Sequence, residues 1–345
     1  MDSAISLFLI TDGITNGAIY ALVALALVLV FAVTRVILIQ QGEFVAYGAL
    51  SLGMLDAGQV PPTVWLLVTV GALVAVVEGR IAWRDGEPGR LPGILARQLG
   101  FPLALAALLY LLPLDGLPRI ARVLLALAVV TPLGPMMYRL VYQPIATASV
   151  LVLLIVSVAT HLAMVGLGLL FFGAEGRRMS AFSDANFEWG SLIVSGQSLW
   201  VVATSLLLVV ALYRFFGHTI YGKALRATAM NRDGARLMGI SPAMAGRLSF
   251  TLAAVIGTLS GILIGPLTTV YYDTGFLIGL KGFVAAIVGG LGSYPLAAIG
   301  ALLVGQLESF SSFWASPYKE VIVFTLIIPV LLWRSLQAVH IEEDE

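Results

Sequence analysis

Long, uninterrupted apolar segments dominate this chain of 345 residues, and they restrict its fold more than any other feature. Hydrophobic residues make up 59% of the sequence and charged residues 11%, whereas soluble domains carry about 25% charged residues. In lipid every backbone polar group must find a partner inside the protein, so spanning segments are helices or closed barrels. Barrel strands alternate polar and apolar residues, and these segments do not. The sequence therefore predicts an all-α polytopic membrane protein.

About eleven segments approach the roughly 20 residues that a membrane-spanning helix needs. These segments are 14–33, 36–55, 64–81, 98–112, 120–138, 150–172, 198–216, 244–270, 276–290, 296–310 and 321–336. Because several of them are short, we expect about 9–11 transmembrane helices in a single transmembrane domain, 1–345. Glycine and polar residues in 36–55 and 276–310 favour broken or re-entrant helices there.

Positive charge is concentrated in the segment 213–247, which lies between two apolar runs. Its charged residues are Arg214, Lys223, Arg226, Arg232, Arg236 and Arg247, with the one acid Asp233. Loops rich in Lys and Arg stay in the cytoplasm, so we expect a cytoplasmic loop in a multi-pass protein of the inner (cytoplasmic) membrane. The same orientation puts 79–97, 139–147 and the C-terminus inside, and 173–197 and the N-terminus outside.

The middle of this basic segment has the composition of a short amphipathic helix. Gly239 is a predicted helix stop. The apolar positions are Ala224, Leu225, Ala229, Met230, Ala235, Leu237 and Met238. We interpret the loop 217–243 as a helix that docks onto a soluble partner and passes its motion to the adjoining spans. The spacing leaves a second interpretation open, in which a basic loop lies on anionic lipid.

The same segment closely resembles the coupling loop of the branched-chain amino acid permeases of ABC transporters. The matching residues are Gly222, Lys223, Ala224, Leu225, Arg226 and Ala227, followed by Asn231, Arg232, Ala235, Leu237, Gly239 and Ile240. Residues 16–25 resemble the first span of that family, and 279–293 resembles its glycine-rich run. Gln41-Gly-Glu-Phe resembles the family's His-Gly-Glu-Phe turn, but with Gln41 where the family often has histidine. The likeness is weak in 77–122, which we predict to be an insertion.

The resemblance implies the permease subunit of an ATP-driven importer for branched-chain or related amino acids, small carboxylates or amides. A second permease subunit, a paralogue or another copy, would complete the pathway. Two ABC ATPase subunits, an external or periplasmic substrate-binding protein and the lipid bilayer would be its other partners, with no nucleic acid. The chain has no phosphate-binding Gly-x4-Gly-Lys-[Ser/Thr] loop. We therefore expect it to be no enzyme, with ATP hydrolysis in separate subunits, and to hold no cofactor and no metal.

Polar residues inside the apolar runs are candidates for the translocation pathway or a gate, because each is expensive in lipid. These candidates are Gln41, Glu43, Lys281 and Glu308. Glu43 could line the pathway or cap a broken helix, and the general preference for capping favours the cap. Glu308 could pair with Lys281, either as packing or as a pathway charge.

Three further polar residues receive structural interpretations. His161 stands alone in an apolar run, which favours a hydrogen-bonded interior histidine over a metal or proton site. Asp12 and Asp273 are expected to cap external helix ends, with Asp12 ahead of the first span.

The alternative to an ATP-driven importer is an ion- or proton-coupled secondary transporter, for which these scattered charges are sparse material. A third class, an intramembrane enzyme or scaffold, lacks a catalytic set.

Glycine spacing predicts one close contact between helices. Gly257, Gly261 and Gly265 form two overlapping Gly-xxx-Gly pairs on one helix face, which lets two backbones approach. The plainer alternative is that glycine is simply common in membrane helices. A second group, Gly289, Gly290 and Gly292, predicts a tight cytoplasmic turn.

Overall fold

The computed structural model describes residues 3–189, 192–291, 293–332 and 336, and this part of the chain is almost entirely helical. The α-helices are α1 (Ser3–Thr34), α2 (Gln41–Asp56), α3 (Thr63–Arg84), α4 (Leu91–Leu111), α5 (Arg119–Val130), α6 (Leu133–Met137), α7 (Val150–Phe172), α8 (Gly196–His218), α9 (Ile220–Met230), α10 (Arg232–Leu237), α11 (Pro242–Ile264), α12 (Thr274–Val288), α13 (Tyr294–Trp314) and α14 (Lys319–Thr325). A π-helical turn, Tyr138–Tyr142, extends α6. Two short strands, β1 (Asn186–Trp189) and β2 (Leu192–Ser195), pair as an antiparallel hairpin.

Eight helical stretches of the described residues are long and apolar enough to cross a membrane. One of them, Arg119–Tyr142, combines α5, α6 and the turn that follows. This finding confirms the predicted all-α polytopic class. The other three predicted runs form the shorter helices α2, α12 and α14, and the last residues of the run 321–336 lie in part outside the described residues.

Serine side chains begin three of the long helices. The Oγ atoms of Ser149, Ser195 and Ser241 accept hydrogen bonds from backbone N–H groups in the first turns of α7, α8 and α11, at 3.4, 3.1 and 3.4 Å. Such caps satisfy N–H groups that have no partner within the helix. Gly173 follows α7 with φ +76°, a backbone conformation that favours glycine. Local chemistry thus fixes where these spans begin and end.

The helix α1 is the centre of the bundle. It packs against α8, α11, α12 and α13, and its residues from Ala18 to Val30 are all buried. This middle part is apolar on every face, as expected for a helix that other helices surround. By contrast, α4, α7 and α8 expose large apolar side chains, so these helices form the periphery that faces lipid or a partner.

The bundle has two distinct ends. At the coupling end, α9 and α10 lie beside the loop that follows α6 and its π-helical turn. There Arg232 Nη1 donates a hydrogen bond to Ala146 O at 2.9 Å. At the hairpin end, which carries β1 and β2, Arg177 N donates to Val270 O at 2.9 Å and Arg119 Nη1 to Ala181 O at 3.0 Å. The loops 139–147 and 217–243, predicted to share one side, therefore do share one end.

Two helices begin in the interior of the bundle instead of at an end. The helix α2 has 16 residues and α12 has 15. At 1.5 Å per residue their lengths are about 24 and 22 Å. Each helix is therefore shorter than the hydrocarbon core of a bilayer, which is about 30 Å thick. Their N-termini meet, since a Cβ on Gly279 would lie 3.2 Å from Gly42 Cα and a Cβ on Gly275 would collide with Gly42 O. We call this meeting point, formed by Gly42, Gly275 and Gly279, the helix junction.

From the helix junction the two helices run to opposite ends. Near the end of α2, Gly53 lies beside Met179 in the loop of the hairpin end. After α12 the chain turns into α13, where the Tyr294 ring stacks on Phe216 with 5.5 Å between centroids, at the end of α8 that leads into α9. Together the two lengths add up to roughly the 40–45 Å of a whole bilayer. The junction therefore lies deep within the membrane, which agrees with the broken helices that the sequence predicts.

Two of the three α11 glycines lie against α2. A Cβ on Gly257 would lie 2.7 Å from Phe44 Cβ, and a Cβ on Gly261 would collide with Val45 O. The third glycine, Gly265, faces the Met179 side chain instead. The predicted turn after α12 is also present, with φ +78° at Gly290. Its third glycine, residue 292, lies outside the described residues.

We expect Gly261→Ala to destabilise the protein by about 1–3 kcal/mol, the usual effect of overpacking, because the new methyl group would push α2 away from α11. The measurement is the midpoint of unfolding of the purified protein in detergent, followed by tryptophan fluorescence. Gly166→Ala in α7 is the matched control, since a Cβ there meets nothing within 4 Å. Equal midpoints for the two variants would contradict this packing.

Candidate functional site

The basic segment at the coupling end folds into two short, separately capped helices. Thr219 Oγ1 accepts a hydrogen bond from Gly222 N at 2.9 Å at the start of α9. Asn231 Oδ1 accepts one from Gly234 N at 2.8 Å at the start of α10. The segment ends at Gly239, whose φ of +82° marks the predicted helix stop. It is therefore an ordered unit and not a slack connector.

The inner face of this unit is anchored to the bundle. Leu225 is 1% exposed and joins a small apolar cluster with Leu29 and Val33 of α1 and Ala245 of α11. Gly222 is needed at the start of α9, because a Cβ there would lie 2.7 Å from Phe216 Cα at the end of α8. A movement of α9 would thus act directly on α1, α8 and α11.

The outer face of the unit presents large apolar side chains to solvent. Met230, Leu237 and Met238 are 89%, 89% and 82% exposed, and the exposed Lys223 and Arg236 lie in the same unit. We call these five residues the coupling surface. Exposed apolar groups surrounded by polar ones typically mark a site of interaction with a protein or a membrane.

The structure divides the expected coupling residues into two groups. Lys223, Arg226 and Leu237 are exposed, whereas Leu225 and Ala235 are buried and hold the unit on the bundle. Ala224 and Arg232 are partly buried. Asn231 caps the start of α10, and Gly239 ends the unit with a positive φ. Met230 and Met238 are apolar positions of the predicted amphipathic helix but are not among the expected coupling residues, because composition reveals such a helix but not which apolar side chains point outward.

Arg226 and Arg232 have contacts of their own within the permease. Arg226 lines an apolar cavity of about 440 Å³ at the coupling end, together with Phe216 and Tyr294. Arg232 Nη1 binds the carbonyl of Ala146, as described above. Substituting Arg232 would therefore disturb the fold of the coupling end as well as any docked partner.

A buried group of charges joins four helices. Lys281 Nζ of α12 lies 2.6 Å from Glu308 Oε1 of α13 and 3.1 Å from Glu320 Oε1 of α14. Tyr20 OH of α1 donates a hydrogen bond to Glu308 Oε2 at 2.5 Å. The predicted pair of Lys281 and Glu308 is confirmed, and Glu320 is an additional partner. Because the charges are used in contacts between helices, their arrangement favours packing over a pathway role.

The two glutamines that precede and begin α2 tie it to its neighbours. Gln41 Nε2 donates to Ala253 O of α11 at 3.0 Å. Gln40 Nε2 donates to Tyr142 OH, and Gln40 Oε1 accepts from Ser157 Oγ of α7 at 2.7 Å. Gln41 is fully buried, so its contact stabilises the inner end of α2. Its role as a pathway candidate stays a prediction.

Glu43 and His161 are brought together although 118 positions separate them. His161 Nδ1 lies 2.9 Å from Glu43 Oε1, and Glu43 is fully buried. Neither Glu43 oxygen has a hydrogen bond of normal geometry within the described residues, so the interpretation of Glu43 as a cap is wrong. Its neighbour is α7, and no local pattern connects these two positions.

The two aspartates expected to be helix caps differ in their placement. Asp12 lies inside α1, which begins at Ser3, so the prediction that it precedes the first span is wrong: apolar residues ahead of it extend the helix. Asp273 occupies the position before α12 but makes no capping hydrogen bond through its side chain. It lines a cavity of about 400 Å³ together with His161.

The protein is a bundle of apolar helices, and two of these helices begin in its interior. One end of the bundle carries an ordered and partly apolar surface. This architecture is typical of a membrane transport subunit. A family model described as the permease component of branched-chain amino acid transport systems matches residues 95–331. The chain belongs to this family.

Individual relatives agree with this assignment. The chain is 26% identical over 341 residues to the high-affinity branched-chain amino acid transport system permease protein LivH of Escherichia coli, covering 93% of this chain and 91% of LivH. It is 26% identical over 280 residues to BraD of Pseudomonas aeruginosa, of the same description, covering 78% and 89%. A probable LivH of Methanocaldococcus jannaschii is 28% identical over 197 residues, covering 54% and 62%. No solved structure gives a significant match.

We expect Lys281→Met to destabilise the permease by about 3–5 kcal/mol, because it leaves buried carboxylates without their counter-charge. Glu320→Gln should cost less than about 1 kcal/mol, since Glu320 is partly exposed and Lys281 keeps Glu308. The readout is the unfolding midpoint in detergent. The double variant Lys281→Met/Glu308→Gln should recover part of the loss. Equal effects of the two single variants would show that the charges do not form a network.

Proposed function

We propose that this chain forms the translocation pathway of an ATP-driven importer for branched-chain or related amino acids, together with a second permease subunit. The coupling surface carries this proposal. It is an ordered apolar face, and it is attached to three helices of the bundle through Leu225 and Gly222. The relatives LivH and BraD, which are described as branched-chain amino acid transport permeases, support the substrate class.

The docking partner of the coupling surface is a separate ATPase subunit. Met230, Leu237 and Met238 fill a groove on that subunit, while Lys223 and Arg236 contact its acidic rim. Two such ATPases work beneath two permease subunits, and an external or periplasmic binding protein delivers the substrate at the hairpin end. Selectivity resides largely in that binding protein, so the permease itself binds substrate weakly.

Motion passes from the ATPase to the pathway through packed helices. A push on α9 displaces α1 and α11 together, because Leu225 packs between them. The helix α11 carries α2 through the contacts of Gly257 and Gly261, and α2 meets α12 at the helix junction. Rigid helices with close backbone contacts move as bodies, which is how a small displacement at one end can open or close a pathway.

The coupling end is the cytoplasmic end. Lys223, Arg226, Arg236 and Arg84 are exposed there or in the adjoining loops, and basic residues in short loops stay inside. Since α1 ends at the coupling end and has 32 residues, about 48 Å at 1.5 Å per residue, it begins at the hairpin end. The N-terminus is accordingly external in the inner membrane.

A proton- or ion-coupled secondary transporter is the weaker candidate. In the group of Lys281, Glu308 and Glu320, both carboxylates contact the one ammonium group, and the three side chains join neighbouring helices. A coupling ion would need acidic groups that are free to change their charge during transport. The coupling surface would also have no purpose in such a transporter.

The test uses the complete importer, reconstituted in proteoliposomes with its ATPases and binding protein. Leu237→Glu and Arg236→Glu should each lower uptake and binding-protein-stimulated ATPase activity at least about tenfold, the effect of losing one strong interface contact of about 1.4 kcal/mol or more. Arg84→Glu is the matched control, because it makes the same charge reversal on an exposed residue of the same end. It should change both rates less than about twofold.

Two outcomes would overturn the proposed function. One is full uptake by Leu237→Glu together with undiminished binding of the ATPase, which would favour the interpretation of the segment as a loop on anionic lipid. The other is uphill transport by the permease subunits alone, without any ATPase, which would favour a secondary transporter.

A further inference from the structure

We propose that the cavity of about 400 Å³ beside the helix junction binds the ammonium group and the apolar side chain of the transported amino acid. The inference rests on the import function proposed above and names the chemistry that the permease itself recognises. His161, Asp273, Tyr271, Phe276 and Leu277 line the cavity. Its size lies within the usual range for small-molecule sites, about 300–1,000 Å³.

The cavity lies between the helix junction and the hairpin end. Asp273 stands two positions before Gly275, which touches Gly42 at the helix junction, and three positions after Val270, which pairs with Arg177. Its side chain is exposed. Because a carboxylate that faces lipid is costly, this side of the cavity faces water and is open to a substrate that arrives from the hairpin end.

His161 forms the inner side of the cavity. It is 6% exposed, and its Nδ1 lies 2.9 Å from Oε1 of Glu43. Glu43 is fully buried and does not itself line the cavity. The Phe276 ring stacks on the imidazole with 4.6 Å between centroids and fixes its orientation.

The charge of the cavity selects a cationic group. Asp273 is the acidic residue of the lining, and His161 is the basic one. The Asp273 carboxylate favours an ammonium group and repels a free carboxylate. The Tyr271 ring adds an aromatic face, which attracts cations.

The remaining walls suit an aliphatic side chain. Val165, Leu277 and Phe276 line the cavity beside the polar groups. An α-amino acid with a branched apolar side chain presents both chemistries within one small molecule. A carboxylic acid without an amino group presents only one, so the cavity narrows the substrate class to amino acids and related amines.

The experiment uses the fact that the chain has no cysteine. Leu277→Cys introduces a single thiol in the cavity of the complete importer, and a water-soluble methanethiosulfonate reagent modifies it. Saturating L-leucine and 3-methylbutylamine, which keeps the ammonium group, should each slow modification about tenfold, as expected for about 90% occupancy. The probe 4-methylpentanoate, which lacks the amino group, should leave the rate unchanged. Ile193→Cys on the exposed hairpin is the control and should show no protection.

A second substitution tests the acidic residue itself. In the Leu277→Cys chain, Asp273→Asn should reduce the protection by leucine to less than about twofold, because the loss of a charged contact weakens binding by more than tenfold. Asp12→Asn makes the same change in another helix and should preserve the protection.

The outcomes separate this inference from the proposed function. If the wild-type complex imports leucine but leucine does not protect the cysteine in the cavity, the cavity is not the substrate site. The proposed import function is then unaffected. Protection by 4-methylpentanoate alone would replace the ammonium site with a carboxylate site and overturn the inference. If the wild-type complex imports no amino acid at all, the proposed function fails first.

Discussion

Backbone contact at glycine is the constraint on which the interior of this protein depends. The helix α2 can begin in the middle of the bundle only because Gly257 and Gly261 of α11 let it approach closely on one side. On the other side, Gly42 meets Gly275 and Gly279 of α12. A helix that starts within a membrane leaves N–H groups without partners, and tight burial among other helices keeps that end away from lipid. Both the helix junction and the cavity beside it are products of these contacts.

The coupling end is held together by a different kind of contact. There the unit of α9 and α10 is held by one buried leucine and one tightly placed glycine, Leu225 and Gly222, while its other face stays apolar and exposed. Such a face marks a site of interaction with a protein or a membrane. An anchored inner face with an uncovered outer face is what we expect of the docking element proposed above.

Local patterns predicted a large share of this architecture. The apolar run 150–172 coincides with α7, the glycine spacing on α11 marks a real helix contact, and Gly239 ends the coupling unit. Hydropathy, glycine spacing and turn residues act over a few positions, so one sequence is enough to read them. Even the pair of Lys281 and Glu308 could be inferred, because their helices are consecutive.

The polar site could not be predicted in the same way. Glu43 and His161 lie on α2 and α7, which are far apart in the chain, and their contact depends on how the whole bundle packs. Glu320 is similar: it stands directly before the predicted apolar run 321–336, and no local pattern indicates its contact with Lys281. Asp12 was misplaced for a simpler reason, since apolar residues ahead of it lengthen α1 beyond the predicted start.

The short length of α2 has a consequence for biosynthesis. A segment of 16 residues that opens with Gln41, Gly42 and Glu43 is a poor substrate for recognition by hydropathy during translation. The helices α1 and α3 on either side are long and apolar enough to enter the bilayer on their own. The long apolar helices of the nascent chain would therefore enter the bilayer first. The helix α2 would pack between them afterwards, as a late step of folding.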